Sequence, residues 1–341
     1  MAVRMTVLRI IFLGTAELSC ASLQALAGEA KFQIAAVVTQ PDRPKGRDLK
    51  PQPSPVKLLA LRLGLPVLQP ERARDEQFIA ELRKLKPEII VTAAYGQILP
   101  PAILDLPRHG CLNVHTSLLP KYRGAAPIQW AIANGDTETG VTIMKMDARL
   151  DTGGIIATRR TPIQPEDNSA TLHDRLAQIG AELLVQTIPD YVAGKIQPRA
   201  QPAAGASYAA KIKKEDGRID WKRPAQEIWN RLRAFTPWPG VFTFWLGVSP
   251  SGGNAIRTEK PPECGTSSAL RPILLKIWQA EVVETSGRAG EVLAADKNGI
   301  VVGCGGHALR ILELQREGGR RMRAAEFLAG HALKAGEKFE G

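Results

Sequence analysis

The stretch "LRIIFLG", residues 8–14, decides the fold. It is a short apolar run that ends at Gly14, and helical periodicity follows it over 16–27. A buried parallel strand that leads into a helix has this pattern. The run contains Arg9, is too short to cross a bilayer and lacks a small-residue cleavage pattern, so we interpret it as a first strand and not as a signal peptide.

The same alternation of strand and helix continues along the chain. Further apolar runs at 34–38, 88–93 and 111–115 are typical of buried strands, and 75–86 has helical periodicity. This order predicts a Rossmann-like, doubly wound α/β domain with its ligand site beyond the carboxyl ends of the strands. The segment Gly14-Thr15-Ala16 lacks the later glycines of a dinucleotide fingerprint, which disfavours NAD.

The length of 341 residues predicts two domains. We expect a catalytic domain over 1–193, a proline- and glycine-rich linker over 194–207, and a smaller domain over 208–341. In the smaller domain an amphipathic helix is followed by short β-type runs, which predicts an OB-like barrel. The helix lies near 224–235 and the runs at 241–247, 273–283, 290–295, 299–303 and 307–314. A stretch rich in Ser, Gly and Pro, 249–272, is predicted to be a long loop.

Charge and cysteine usage restrict the class of protein. The formal net charge is +11, and a surplus of this size favours polyanionic partners, although a basic enzyme without such a partner has the same composition. The four cysteines, at positions 20, 111, 264 and 304, have no CxxC spacing and no neighbouring histidine pairs. We therefore predict no metal site, and reduced thiols in a cytoplasmic protein.

The predicted strand at 111–115 carries two polar residues on one face. Asn113 and His115 are two positions apart, so their side chains point the same way and meet at the carboxyl end of the strand. An isolated Asn-x-His pair is more often structural, with the amide bonded to a loop and the histidine satisfied in the core. The position at a strand end in an α/β sheet favours a functional site instead.

An acidic loop supplies the third group. The alternating run 141–146 predicts a strand, and the loop after it contains Asp151 followed by glycines. If this strand lies near the first, Asp151 reaches His115, orients the imidazole and favours its protonated form. An amide donor beside an Asp–His pair suits oxyanion stabilisation and proton transfer. Since we find no serine elbow and no metal-ligand cluster, we predict direct attack of a substrate nucleophile on an acyl carbon.

The segment that contains these residues resembles the formyltransferases that use 10-formyltetrahydrofolate. The resemblance covers "NVHTSLLPKYRGAAPIQWAIANGDTETGVTIMKMDARLDTGG" (113–154), with further similar segments along the chain. These are "VTQPDRPKGR" (38–47), "PSPVK" (53–57), "AYGQILP" (94–100), "RIDW" (218–221) and "RAFTPWPG" (233–240). It extends from about residue 8 to 328, and it implies a Rossmann-like domain joined to an OB-like barrel.

The resemblance implies roles for particular residues. Asn113, His115 and Asp151 match the catalytic trio of the family. The folate-binding residues it implies are Ser117, Leu118, Leu119 and Pro120 together with Tyr95, Gly96, Gln97, Ile98, Leu99 and Pro100. The acceptor it implies is the α-amine of an initiator methionyl-tRNA, bound through Arg43, Lys45, Arg47 and Lys50 and through Arg320, Arg321 and Arg323. It implies no metal, no membrane contact and a monomer that serves translation initiation.

Alternatives to this function remain at the sequence level. The same trio would serve an amino sugar or glycinamide ribonucleotide as the acceptor, and the whole chain would also suit a basic RNA-binding module with a vestigial folate site. Both basic segments have a simpler interpretation as solvated surface. Gly14-Thr15-Ala16-Glu17-Leu18 departs from the family's Gly-Thr-Pro-Asp-Phe at the first strand's exit, and 249–272 is longer than the usual connection in the barrel.

Overall fold

A computed structural model describes residues 7–45, 50–245 and 272–341. Within it the chain forms two compact units, one of residues up to 131 with 136–211, the other of 132–135 with 212–341. Three subjects of the sequence predictions, Arg47, Cys264 and the loop at 249–271, lie outside the described residues.

The first unit is built from a large sheet with helices on both faces. Its helices are α1 (Leu18–Ala27), α2 (Pro55–Arg62), α3 (Glu76–Lys84), α4 (Pro101–Leu104), α5 (Pro127–Ala133) and α6 (Ser169–Val192). Its strands are β1 (Leu8–Gly14), β2 (Phe32–Val38), β3 (Arg43–Lys45), β4 (Lys50–Gln52), β5 (Val67–Leu68), β6 (Ile89–Ala93), β7 (Cys111–His115), β8 (Arg123–Gly124), β9 (Glu138–Lys145), β10 (Ile155–Pro162) and β11 (Tyr208–Ala209).

The large sheet has the strand order β10-β9-β7-β6-β1-β2-β5. The strands from β7 to β5 are parallel, and β9 and β10 add an antiparallel edge beside β7. Buried apolar residues fill β1 and β6 because both of their faces are covered, as expected for central parallel strands. The Rossmann-like fold predicted for this part of the chain is confirmed.

Helix α6 packs against the face of β7 that carries Val114. Asn168 caps its amino end, where the side-chain oxygen accepts from the N–H groups of Ala170 and Thr171. Gly180 lets the helix approach the sheet closely, since a Cβ there would lie 2.8 Å from Cγ1 of Val114. Val114 thus faces α6, and its neighbours in the strand, Asn113 and His115, face the other side of the sheet.

The second unit is an antiparallel barrel with one long helix and one short helix. A 3₁₀ turn (Lys214–Gly217) precedes α7 (Ala225–Ala234), and α8 (Ala324–Gly330) lies near the end of the chain. The strands are β12 (Val241–Trp245), β13 (Ile273–Val283), β14 (Val292–Asp296), β15 (Gly299–Gly303), β16 (Ala308–Arg316), β17 (Arg321–Arg323) and β18 (Phe339–Glu340).

The strands of this unit follow the order β14-β15-β16-β13-β12-β18, with β17 paired to β16. An antiparallel bridge between Glu291 and Lys338 joins the two ends of that order, so the sheet curls until its edges meet. Closure removes unpaired strand edges. The barrel predicted for this part of the chain is therefore confirmed.

The stretch predicted as a linker and the first residues predicted for the second domain pair with the first unit. Arg199, in the predicted linker, bridges to Ile155. Tyr208 and Ala209, predicted to begin the second domain, form β11, which pairs in parallel with β8, where Tyr208 is opposite Arg123. This return of the chain was not expected from composition, because a proline- and glycine-rich stretch gives no sign of its partner. The domain limits at 193 and 208 stay predictions.

Candidate active site

Two functional side chains come from the carboxyl end of β7. Asn113 is opposite Thr92 of β6 and Met144 of β9, so it lies between two neighbouring strands. His115 is 6% exposed, and its Nε2 lies 2.9 Å from the carbonyl oxygen of Tyr122. Because a carbonyl oxygen only accepts, Nε2 carries the proton, and Nδ1 is the ring atom that faces Asp151.

Asp151 lies within reach of both residues. One carboxylate oxygen, Oδ2, is 3.8 Å from Nδ1 of His115, and the other, Oδ1, is 3.5 Å from Nδ2 of Asn113. Only 11% of the Asp151 side chain is exposed. The structure thus brings together all three members of the predicted trio, although Asp151 lies 38 residues after Asn113 in the sequence.

The backbone around Asp151 holds the carboxylate in place. Asp151 has a φ of 51°, in the left-handed region that costs a non-glycine residue about 1 kcal/mol or more. The N–H of Gly124 donates to Oδ2 at 2.8 Å. This bond fixes the carboxylate before any substrate is present.

Gln201 is a second support of the Asp151 loop, and sequence reasoning missed it. Its amide nitrogen donates to the carbonyl oxygens of Asp151 at 2.9 Å and of Gly153 at 2.8 Å. Its oxygen accepts from Nε and Nη2 of Arg123 at 3.0 and 2.7 Å. No sequence signal identified Gln201, since it lies within the stretch predicted to be a linker.

The short β8–β11 pair keeps these supports together. The N–H of Arg123 donates to the carbonyl oxygen of Ser207 at 2.9 Å, and the N–H of Ala125 donates to that of Ala209 at 2.9 Å. The hydroxyl of Ser207 accepts from the N–H of Tyr122 at 2.9 Å. The turn that carries Tyr122 and Gly124 is therefore fixed by the chain that returns at 207–209.

The predicted folate loop at 95–100 follows β6, the strand beside β7. Tyr95 is buried, and burial raises the pKa of its hydroxyl to about 12, so the phenol stays neutral. Gln97 is occupied with the backbone of Glu71 and Ala73. Ile98 is 79% exposed while Leu99 is 3% exposed, which leaves Ile98 as the apolar side chain of this loop that is open to a ligand.

Gly96 meets a steric limit in the same loop. It has a φ of 87°, and a Cβ there would lie 2.7 Å from Nε2 of Gln40. That amide donates to the carbonyl oxygen of Tyr95 at 3.1 Å. Glycine is therefore required at 96 by the backbone of the loop, whether or not a ligand is bound.

The segment 117–120 is divided between the interior and the surface. Ser117 is fully buried, its hydroxyl donates to the carbonyl oxygen of Lys121 at 2.6 Å, and Leu119 is 6% exposed. Leu118 and Pro120 are half-buried. The structure therefore leaves Leu118 and Pro120 accessible to a ligand, and Ser117 and Leu119 serve the packing of the turn.

The described ends of the basic stretch 43–50 form two short paired strands rather than irregular backbone. Strand β3 pairs with β4, with Arg43 opposite Gln52 and Lys45 opposite Lys50. Pro44 and Pro51 are tolerated because this two-stranded ribbon is not part of a larger sheet. Arg43 is exposed and lies 3.0 Å from Glu71, and Lys50 is exposed.

The second basic cluster lies on the barrel and is partly neutralised. Arg320 forms an ion pair with Glu326 at 3.2 Å, and Arg321 contacts Glu313 and lies over the ring of Trp278 at 5.3 Å. Arg323 is exposed in β17. This cluster belongs to the second unit, whereas the trio belongs to the first.

Two further findings concern the described residues as a set. Among residues 7–45, 50–245 and 272–341, no three His, Cys, Asp or Glu side chains come together as a metal site would require. Nor does any helix in those ranges combine the length and apolar character needed to span a membrane.

The fold and the site define a formyl transferase, and the chain belongs to that family. The formyl transferase family model matches residues 8–188, and the model of the formyl transferase C-terminal domain matches 211–332. The family predicted from the sequence is confirmed, as is the prediction that the chain is an enzyme.

Two relatives are similar to this chain over nearly its whole length. The chain is 46% identical over 332 residues to a methionyl-tRNA formyltransferase of Citrifermentans bemidjiense, which covers 97% of this chain and 96% of the relative. It is 48% identical over 332 residues to a methionyl-tRNA formyltransferase of Caldanaerobacter subterraneus subsp. tengcongensis, with 96% and 99% covered.

A solved structure shares the fold. It is an N-formyltransferase from Helicobacter canadensis in complex with folinic acid and dTDP-3-aminofucose, with a TM-score of 0.59 and 18% identity. The match covers 89% of this chain and 98% of that one. At this identity the likeness concerns the architecture alone.

Proposed function

We propose that the protein transfers the formyl group of 10-formyltetrahydrofolate to the α-amine of methionyl-initiator tRNA. The observation that carries this proposal is the convergence of Asn113, His115 and Asp151 in a chain that is similar over nearly its whole length to methionyl-tRNA formyltransferases. We further propose that the enzyme acts as a monomer in the cytoplasm and serves translation initiation.

The chemistry of the trio fits transfer of an acyl group to an amine. Attack of the amine on the formyl carbon converts the formyl oxygen to an oxyanion and leaves a proton to remove from nitrogen. Collapse of this tetrahedral intermediate breaks the bond between the formyl carbon and N10 of the folate, and tetrahydrofolate leaves with the proton taken from the amine. Asn113 donates to the oxyanion, because its contact with Asp151 is long at 3.5 Å and the second amide hydrogen is left over. The groups needed for both tasks are therefore present.

His115 and Asp151 act as a pair in this proposal. Nδ1 of His115 lies 3.8 Å from Oδ2 of Asp151, so the carboxylate orients the imidazole within the site. Asp151 also accepts the proton of the attacking amine, directly or through water, at an oxygen that Gly124 already orients.

Folate binding is proposed for the side of the site next to β6. Ile98 is 79% exposed and Leu150, the residue before Asp151, is 51% exposed. Ile98 belongs to the loop that follows β6, the strand beside β7, and exposed apolar side chains at these two positions fit the flat ring system of a folate, whose role is to supply the formyl group. Leu118 and Pro120 are the other candidates for contact; Tyr95, Ser117 and Leu119 would act by holding the surrounding backbone.

Binding of tRNA is proposed for the paired strands β3 and β4 and for the arginines of the barrel. Arg43 and Lys50 are exposed on these strands, and Arg47 belongs to the same basic segment of the sequence. Arginine side chains bind phosphate through paired hydrogen bonds. Arg320 and Arg321 would exchange their glutamate partners for phosphate.

The test of the catalytic assignment is the variant His115→Ala. We expect loss of most formyl transfer from 10-formyltetrahydrofolate to methionyl-tRNA with a native unfolding profile. His173→Ala is the matched control, because His173 also pairs with an aspartate, Asp174 at 2.9 Å, but on the outside of α6. Near-normal transfer by His115→Ala would show that the assigned trio is wrong.

The acceptor and the tRNA contacts need separate measurements. Rapid formylation of an amino sugar nucleotide or of glycinamide ribonucleotide, and none of methionyl-tRNA, would overturn the proposed acceptor. For the contacts, Arg43→Ala should lower the slope of log affinity against log salt by about 1. Arg159→Ala is a suitable control, since Arg159 also forms an exposed ion pair, with Glu182 at 3.0 Å.

A further inference from the structure

Tyr208 is an exposed aromatic side chain beside the candidate active site. It is 65% exposed, although the next residue, Ala209, is fully buried. Alternation along β11 explains the contrast, since Ala209 points inward and Tyr208 outward. Neither the catalytic trio nor the proposed folate contacts use this ring.

The backbone of Tyr208 is held firmly. Ser207 and Ala209, on its two sides, accept hydrogen bonds at 2.9 Å from the N–H groups of Arg123 and Ala125. The ring lies against Gly124, where a Cβ would be 2.7 Å from Cε2 of Tyr208 and 2.7 Å from the carbonyl oxygen of Ala209. Glycine at 124 therefore lets the ring rest directly on the backbone.

This position is two contacts away from the catalytic carboxylate. Gly124 touches the Tyr208 ring on one side, and its N–H donates to Asp151 Oδ2 at 2.8 Å. A substrate amine that reaches Asp151 therefore places the group that carries it near Tyr208. In an aminoacyl-tRNA the amine belongs to an amino acid whose carboxyl group is esterified to the terminal ribose, and that ribose carries an adenine base.

We propose that Tyr208 is a stacking platform for the terminal adenine of the acceptor. The inference rests on the proposed function, because it takes the acceptor to be an aminoacyl-tRNA. A rigid aromatic ring that is open to solvent offers a face on which a base can stack without being read by hydrogen bonds. The same contact would hold the ribose and its ester so that the amine faces Asp151.

An adenine fits this surface better than the methionyl side chain does. An alkyl thioether gains most from an enclosed apolar pocket, whereas Tyr208 is largely open and the residue paired with it across β8 and β11 is the polar Arg123. A base loses little by having one face near water. The methionyl side chain is therefore the alternative occupant that the experiment must separate.

The experiment compares two acceptors that differ in the base. Formyl transfer to 3′-O-methionyladenosine and to methionine methyl ester is measured with wild type, Tyr208→Phe and Tyr208→Leu. With the adenosine ester, we expect Tyr208→Leu to lower kcat/KM between about 5-fold and 100-fold, the effect of one base–aromatic stack. Tyr208→Phe, which keeps the ring, should stay within about threefold of wild type.

The methyl ester decides between stacking and other roles. Because it has no base, Tyr208→Leu should use it about as well as wild type does. An equal loss on both acceptors would overturn the proposal, since it would mean a contact with the methionyl group or a disturbed Asp151. Equal activity of Tyr208→Leu and wild type on the adenosine ester would overturn it too.

Failure of the proposed function has a different signature. If wild type formylates neither the two small methionyl esters nor methionyl-tRNA, both proposals are overturned. If wild type is active but Tyr208→Leu shows no larger loss on the adenosine ester than on the methyl ester, only the stacking proposal is overturned. A binding measurement adds an independent readout. The fluorescence of 2-aminopurine in place of the terminal adenine should be quenched by wild type and Tyr208→Phe, and not by Tyr208→Leu.

Discussion

The variant Gln201→Glu weakens the support of the Asp151 loop without changing any residue that is proposed to contact substrate. The change is isosteric, and the carboxylate still accepts from Arg123. It removes the two hydrogen bonds donated to the carbonyl oxygens of Asp151 and Gly153, at 2.9 and 2.8 Å. It also places negative charge against those two oxygens.

The expected magnitude follows from these contacts. Two neutral hydrogen bonds have a net value of about 1 kcal/mol each, so the loop loses at least about 2 kcal/mol of support. The left-handed backbone at Asp151, with its φ of 51°, costs about 1 to 3 kcal/mol and pulls the loop toward other conformations. If turnover follows the population of the held loop, kcat should fall by up to about 30-fold.

Steady-state kinetics and thermal unfolding together test this expectation. Formyl transfer to methionyl-tRNA should show the fall in kcat, with KM for both substrates changed by no more than about threefold, because Gln201 itself contacts neither. The control is Gln186→Glu, since Gln186 accepts from Arg159 at 2.7 Å as Gln201 does from Arg123, but on the surface. A folded Gln201→Glu enzyme with wild-type kcat would refute the reasoning.

Three other predictions test separate parts of the structure. Gly124→Ala should reduce kcat strongly, because the new Cβ would lie 2.7 Å from the carbonyl oxygen of Ala209. The control is Gly205→Ala, at a residue that also has a positive φ (78°) but has open space around it. This variant should lose only about 1 kcal/mol of unfolding free energy and keep its kcat. Burial opposes ionisation of Asp167, but its hydrogen bonds to Arg175, Gln164 and Thr171 prevail and lower its pKa. Asp167→Asn should therefore destabilise the protein by about 2 kcal/mol at neutral pH in urea unfolding, since Arg175 keeps contact with solvent. The difference should shrink as pH falls through the native pKa of Asp167, where the carboxyl of wild type also loses its charge. Burial raises the pKa of Cys111 to about 12, so iodoacetamide at pH 8 should modify it only when the protein unfolds, as peptide mapping would show.

The sequence predicted those parts of the site that depend on one strand. The apolar runs identified β1, β6 and β7, and the period of two along β7 placed Asn113 and His115 on one face. The approach of Asp151 depends on the strand predicted at 141–146 lying near β7, and β9, which covers 138–145, does pair with β7. Short-range patterns therefore placed Asn113 and His115, and the position of Asp151 followed only with that pairing.

The supports of the trio could not be predicted from such patterns. Gln201 contacts Asp151 because the chain returns at 199–209 to pair with β8, and no periodicity in a stretch of Pro, Gly and Ala encodes that pairing. The carbonyl oxygen of Tyr122 meets His115 because Tyr122 has a φ of 61°, which is uncommon for a non-glycine residue. These contacts depend on tertiary structure.

The left-handed backbone at Asp151 makes the best residue for stability differ from the best residue for catalysis. Glycine or asparagine would adopt that conformation more readily than aspartate does, so a library selected only for heat resistance would favour them at this position. A library selected for turnover would return the acid, because no other side chain combines that charge with that reach. Selection for thermal stability and selection for activity should therefore give different amino acids at residue 151.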